Sequence, residues 1–257
     1  MMPPLKLNNA PLVEAIFEIR WKLLEQAPGF ATDPKYKVLV GRLFERLEQD
    51  YPVLETLPTA SMPDEMFGYI VQHRFRVAEN QWPLVQIGPG LVTLNQTQAY
   101  EWEDFETRAH QLLSNLHAAY PDAANALKIT RLQLRYIDAI PFKFTNDIFL
   151  FMQDTLKITI NFSPTLFEDE PVQALPSKFN ALFGFPTTNP KGDLSLRFAR
   201  GVLHEQEALI WETIVQSENE NIPPMPDEFQ AWLTSAHTVV HNLFFKMIDG
   251  SLRERFQ

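Results

Sequence analysis

The chain of 257 residues contains no cysteine. That absence excludes a disulfide-stapled scaffold, a thiolate metal centre and a cysteine nucleophile together. Glycine is scarce, at nine residues, and neither a Gly-x-x-x-x-Gly-Lys-Ser/Thr loop nor a Gly-x-Gly-x-x-Gly fingerprint occurs. Backbone cradles for nucleotide phosphates are therefore not expected. The Gly-x-Ser-x-Gly elbow of serine hydrolases is missing as well. Long apolar runs are lacking: stretches such as Ile148 to Met152 fall far short of the ~18–20 residues that span a bilayer. The first nine residues hold Lys6 but no apolar core of a signal peptide, and Glu14 interrupts the apolar residues beyond them. Positive charge is in deficit, with 22 basic against 32 acidic side chains and a net charge of −10. Such a chain repels a phosphate backbone unless its cations are gathered in one place. The expectation is a cytoplasmic protein with no membrane partner and no cofactor, for which nucleic acid is a disfavoured partner.

What is present is a regular alternation of strands and helices. Val13, Ala15, Phe17, Ile19 and Trp21 alternate with Glu14, Ile16, Glu18 and Arg20, the period of a half-buried strand. After a Pro28-Gly29 break, the spacing of Tyr36, Leu39, Leu43 and Leu47 predicts an amphipathic helix, followed by a loop over Pro58 to Asp64. Phe67 to Val77, Trp82 to Ile87 and Leu91 to Thr97 read as strands, the last two joined by Gly88-Pro89-Gly90. Trp102 to Tyr120 reads as a long helix stopped by Pro121.

The second part of the chain repeats this order. Ile129 to Ile140 reads as a strand, Asn146 to Leu156 as a helix with Asn146 as its N-cap, and Lys157 to Phe162 as a strand. Residues 163–192 form an insertion with five prolines and the phenylalanines Phe167, Phe179, Phe183 and Phe185. A connection of that length is uncommon inside a compact domain and is often functional. Leu194 to Leu203 and Ala208 to Gln216 read as a hairpin, and Asp227 to about Ile248 as the closing helix. A sequence echo supports a duplication: Ala109, His110, Asn115, Leu116 and Asp122 match Ala236, His237, Asn242, Leu243 and Asp249 without gaps. The expected fold is α+β, with two similar β-α-β-β-β-α halves (residues 1–122 and 123–257) forming a mainly antiparallel curved sheet with helices on one face. The order resembles the duplicated saddle of the TATA-binding-protein-like fold. A helix-grip fold, one sheet wrapping a long C-terminal helix, is the competing arrangement.

The segment Asn9-Ala10-Pro11-Leu12-Val13-Glu14-Ala15, with the alternating strand it opens, resembles the start of a sporadically distributed, functionally uncharacterised bacterial family of about this length. Arg135-Tyr136-Ile137-Asp138 is similar to that family's mid-chain Arg-Tyr-Ile-Asn/Asp segment, and His237 with Phe244 and Phe245 beyond it fits its closing helix. The resemblance implies a bacterial protein and brings no catalytic residues with it.

The arginines are the most distinctive chemistry. Arg20, Arg74, Arg76, Arg131, Arg135 and Arg197 all stand opposite the apolar alternation of their strands. In one sheet they would project from the helix-free face, where guanidinium groups could hold carboxylate, phosphate or an acidic partner segment. The plainer alternative is a wet sheet face with cross-strand Glu–Arg pairs. Arg200 falls on the apolar parity, which calls for a bulge or a paired inward charge. His237 and His241, four apart on a helix, could share a metal ion, although Thr238 stands where a zinc protease carries Glu and no third ligand is evident. Glu168-Asp169-Glu170 lacks the spacing of a calcium loop and is expected to be a solvated loop. The functional expectation is a non-enzymatic binding or regulatory module using the arginine face for a protein or a small anion, with a homodimer as a further expectation. The alternatives are a metal-dependent hydrolase and a nucleic-acid-binding saddle.

Overall fold

The computed structural model describes residues 7–27, 30–62, 68–173 and 175–257. The Pro28-Gly29 break, Phe67 and the Pro63-Asp64 end of the expected loop lie outside them. Among the described residues nine strands form one open sheet in the order β4-β5-β6-β7-β1-β8-β11-β10-β9, with every pairing antiparallel. The strands are β1 (Leu12–Trp21), β4 (Val53–Thr56), β5 (His73–Arg76), β6 (Leu84–Gly88), β7 (Leu91–Gln96), β8 (Ile129–Pro141), β9 (Asn180–Thr188), β10 (Lys191–Leu203) and β11 (Gln206–Glu218). A separate small hairpin joins β2 (Leu24–Ala27) to β3 (Phe30–Thr32). The helices are α1 (Tyr36–Leu47), α2 (Trp102–Ala119), α3 (Ala123–Ala126), α4 (Ile148–Leu156), α5 (Phe229–Ile248) and α6 (Ser251–Phe256). Among the described residues no helix is long and apolar enough to cross a membrane.

The alternation in the sequence builds the core directly. In register across the sheet, Phe75, Val85, Leu94, Phe17, Leu134 and Val215 form one buried row. Above it α1 packs on β5, α2 on β7, and α5 on β8 and β11. Phe17 meets Phe229 and Trp232 of α5, with ring centroids 5.3 and 6.3 Å away. A second cluster gathers α4, α6 and the end of α5 around Phe198 and Trp211.

One buried carboxylate ties the first core together. Asp33 accepts hydrogen bonds from the Trp21 indole N–H (2.7 Å), the Tyr120 hydroxyl (3.2 Å) and the Lys35 backbone N–H (2.9 Å). Replacing it strands two buried donors. Asp33→Ala is expected to lower stability by about 2–4 kcal/mol, read as a lower urea midpoint with an unchanged slope.

Several expectations are corrected. The strand expected from Phe67 to Val77 shrinks to His73–Arg76, because Tyr69 takes a left-handed conformation (φ 63°) and residues 68–72 fold over β6. Asp147, not Asn146, caps α4, accepting from the N–H groups of Phe149 and Leu150. Lys157–Phe162 is not a strand: Lys157 ends α4 in a left-handed turn, and Ile158 and Ile160 pack against the second core cluster instead of entering the sheet. The edge position belongs to β9, which lies inside the expected insertion. Strand β4, hairpin β2–β3 and helices α3 and α6 were not expected.

Candidate functional site

The polar parity of the central strands forms the sheet face opposite α1, α2 and α5. One cross-strand row there runs from Glu55 through Arg74, Gln86 and Thr93 to Glu18, and on through Gln133 and Gln216. All six arginines singled out by parity reach this face, and each has a carboxylate partner. Arg20 Nε lies 2.6 Å from Glu18, Arg76 Nε 2.8 Å from Glu55, and Arg74 3.7 Å from the same Glu55. Arg135 and Arg197 share Glu212 at 2.7 and 3.1 Å, and Arg131 pairs with Glu218. Arg74 also donates to Gln86, whose amide reaches Asn95, which in turn donates to Glu14 (2.8 Å). The guanidinium groups are thus gathered, as parity implies, but in a mosaic where four glutamates serve six arginines. These pairs are half-buried, and cross-strand pairs of opposite charge are each worth roughly 0.2–1 kcal/mol, small enough to be exchanged for a ligand's carboxylate.

At one end of the face the mosaic opens into a groove of about 760 Å³. Arg20 and Arg131 are direct Cα partners across β1 and β8, so two like charges stand side by side. Lys22 joins them on the wall, Glu25 and Glu218 stand at the rim, and Phe30 and Ala31 of hairpin β2–β3 close one side. The Tyr69 ring lies 5.2 Å from the Arg20 guanidinium, and its hydroxyl donates to the Trp21 carbonyl. Close packing fixes that wall: a Cβ on Gly68 would stand 2.5 Å from Leu23, and Gly90 turns at φ +81° against the same side chain.

No family model and no curated protein matches the chain.

The other candidates sit on the helix side of the sheet. Arg200, on the apolar parity, donates to the carbonyls of Pro176 (2.7 Å) and Asn146 (3.3 Å) and lies over the rings of Phe142 and Phe144. It clamps the inserted loop onto the sheet through carbonyls and ring faces, with no carboxylate partner among the described residues and no bulge in the register. His237 stacks on Trp102, with centroids 3.6 Å apart and planes within 5°. Its Nδ1 is 3.0 Å from the Tyr136 hydroxyl, which is 2.6 Å from that of Tyr100. Burial, with the neighbouring His241 adding to it, pulls the His237 imidazole down to about 3. His241 stands 5.5 Å away, ring to ring, and among the described residues no group of three His, Asp or Glu side chains is placed to hold a metal.

Asp138 stands near the end of β8. It continues the buried parity of Leu132, Leu134 and Tyr136, is 4% exposed, and burial alone pushes its carboxyl up to about 8. Its partner across β11 is Trp211, whose buried indole N–H has no hydrogen-bond partner among the described residues. The sequence signal was available: a carboxylate at core parity.

Proposed function

We propose that the protein is a non-enzymatic binding module of the cytoplasm whose groove at the β1–β8 junction takes a compact anion carrying carboxylate groups. The observation that carries this reading is the side-by-side pair of Arg20 and Arg131, direct neighbours on the two central strands within an open groove. Like charges in that position repel, and Glu18 and Glu218 each offset one of them only from the side. An anion bridging both guanidinium groups relieves the repulsion and makes the bidentate contacts arginine favours. A regulatory role, in which the ligand alters what the rest of the face binds, follows from the continuity of the groove with the Glu–Arg mosaic.

We further propose that residues 1–122 and 123–257 are two like halves in a saddle resembling the TATA-binding-protein-like fold. The strand order supports it: outward from β1 the strands run β7, β6, β5, and outward from β8 they run β11, β10, β9. Each arginine of the face already has a carboxylate beside it, which weakens its pull on a nucleic-acid backbone, and His237 commits one ring nitrogen to Tyr136. The nucleic-acid and metal-dependent hydrolase readings therefore lack a supporting observation of their own.

Thermal melting against a panel of mono-, di- and tricarboxylates and inorganic phosphate tests the groove. A ligand at a hundred times its Kd should stabilise by about 2.7 kcal/mol, a rise of roughly 5–10 °C for a chain of this size. The rise should disappear in the Arg20→Gln/Arg131→Gln double variant. A panel without one saturable shift, or a shift that survives the double variant, overturns the reading.

A further inference from the structure

The two edges of the sheet are unlike. β4 is four residues long and lies between Pro52 and Pro58. β9 is nine residues long and carries no charged side chain; from Phe179 to Pro190 the chain has none at all. Exposed strand edges in native proteins are blunted by charge, proline, shortness or bulges; β9 has only Pro186 of these, near its end, and the apolar stretch before it is a template for another strand. Leu182 is 68% exposed and Phe185 47% exposed on this strand. Among the described residues nothing pairs with its outer side.

The hydrogen-bond phase says which groups face outward. The Arg200 N–H donates to the Phe179 carbonyl, and these residues extend the β9–β10 register one step beyond Ala199 and Asn180. In an antiparallel ladder bonded and non-bonded pairs alternate. Odd-numbered residues of β9 therefore bond β10, while Asn180, Leu182, Gly184, Pro186 and Thr188 turn their backbone groups outward. Pro186 has no N–H to offer. Its place on the outward set is the one a strand proline tolerates, and it ends the usable ladder there.

We infer that β9 is a self-association edge: two copies pair their β9 strands antiparallel about a two-fold axis at Leu182. An antiparallel edge is complementary to itself, since a two-fold rotation brings each outward donor opposite an outward acceptor. Centring on Leu182 pairs Asn180 with Gly184 of the second copy, Leu182 with its own equivalent, and Gly184 with Asn180. That register gives roughly six hydrogen bonds and keeps Pro186 out of the ladder, whereas a centre moved toward Thr188 brings Pro186 in. The exposed Leu182 side chains then meet across the axis. This interface lies three strands away from β8 and the groove, so its test and the ligand test fail separately.

The lack of native cysteine makes the geometry directly readable. At the two-fold the Leu182 Cα atoms stand ~5.5 Å apart, within the ~4.4–6.8 Å of a disulfide. Leu182→Cys should therefore cross-link under mild oxidation to twice the 29.7 kDa chain mass. Thr188→Cys, also on the outward set, would stand roughly 40 Å from its equivalent and should remain uncross-linked. In sedimentation equilibrium the unmodified chain should be dimeric. Leu182→Lys, a change at a solvent-exposed side chain, should weaken dimerisation at least about ten-fold without altering the circular dichroism. A monomeric unmodified chain, a dimer indifferent to Leu182→Lys, or equal cross-linking at positions 182 and 188 overturns the inference. A monomer that captures a strand from another protein at β9 overturns it equally.

Discussion

Asp138→Asn is expected to stabilise the protein at alkaline pH, by on the order of 5 kcal/mol at pH 8.5, and to leave it unchanged at pH 4. The buried carboxyl titrates at about 8 in the folded chain, against about 4 when unfolded. Between those values the unfolded chain has released its proton and the folded chain has not. Stability contributed by the protonated group is therefore complete below pH ~4 and is lost as pH rises toward 8. His237 acts in the opposite sense: its folded value near 3 makes stability fall as pH drops below ~6.5. The two slopes oppose one another between about 4 and 6.5, so the Asp138 effect stands clear only from 6.5 to 8. A melting series in that window should show the unmodified chain falling steeply and Asp138→Asn running nearly level, a gap of roughly 10 °C or more at the upper end. Parallel curves would show that the carboxyl is not held neutral.

Phe17→Ala is the second large effect. The side chain is fully buried in the middle strand, between Leu94 and Leu134 in register and beneath Phe229 and Trp232. Removing a ring of that size costs about 3–5 kcal/mol through lost transfer and the cavity left behind. Against a total of about 5–15 kcal/mol for an ordinary fold, that is roughly a fifth of the stability or more. The urea midpoint should drop accordingly, with the slope unchanged. A cost below 1 kcal/mol for Phe17→Ala is incompatible with α5 resting on β1.

How far the sequence discloses this molecule depends on the range of the interaction in question. α1 coincides with its spacing because Tyr36, Leu39, Leu43 and Leu47 all turn inward. α2, β1 and β8 lie close to their expected limits for the same local reason. β9 was hidden because Gly184 and Pro186 interrupt its alternation and its phenylalanines look like loop aromatics. Lys157–Phe162 carries the opposite signal, alternating well yet laying Ile158 and Ile160 against the second core cluster instead of pairing. The arginine face was legible by parity, since each side chain's direction is set by its own strand. Its neutralisation was not: Glu55 meets Arg74 and Arg76, and Glu212 meets Arg135 and Arg197, through registers between strands that no periodicity encodes. The Arg20–Arg131 pair at the groove is likewise a fact of register.

The central pairing of β1 with β8 also orders events in time. Ile19 pairs with Leu132, and Phe17 is roofed by Phe229 and Trp232, near the far end of the chain. As the polypeptide leaves the ribosome, β1 gains β7 early but keeps an open side until β8 has emerged. Its aromatic face waits still longer, for α5. Contacts this distant along the chain form slowly and leave partly built sheets exposed to aggregation. The glutamates and arginine that alternate with Phe17 and Ile19 give the waiting strand a charged flank, so the residues that later make up the mosaic also keep the nascent edge soluble.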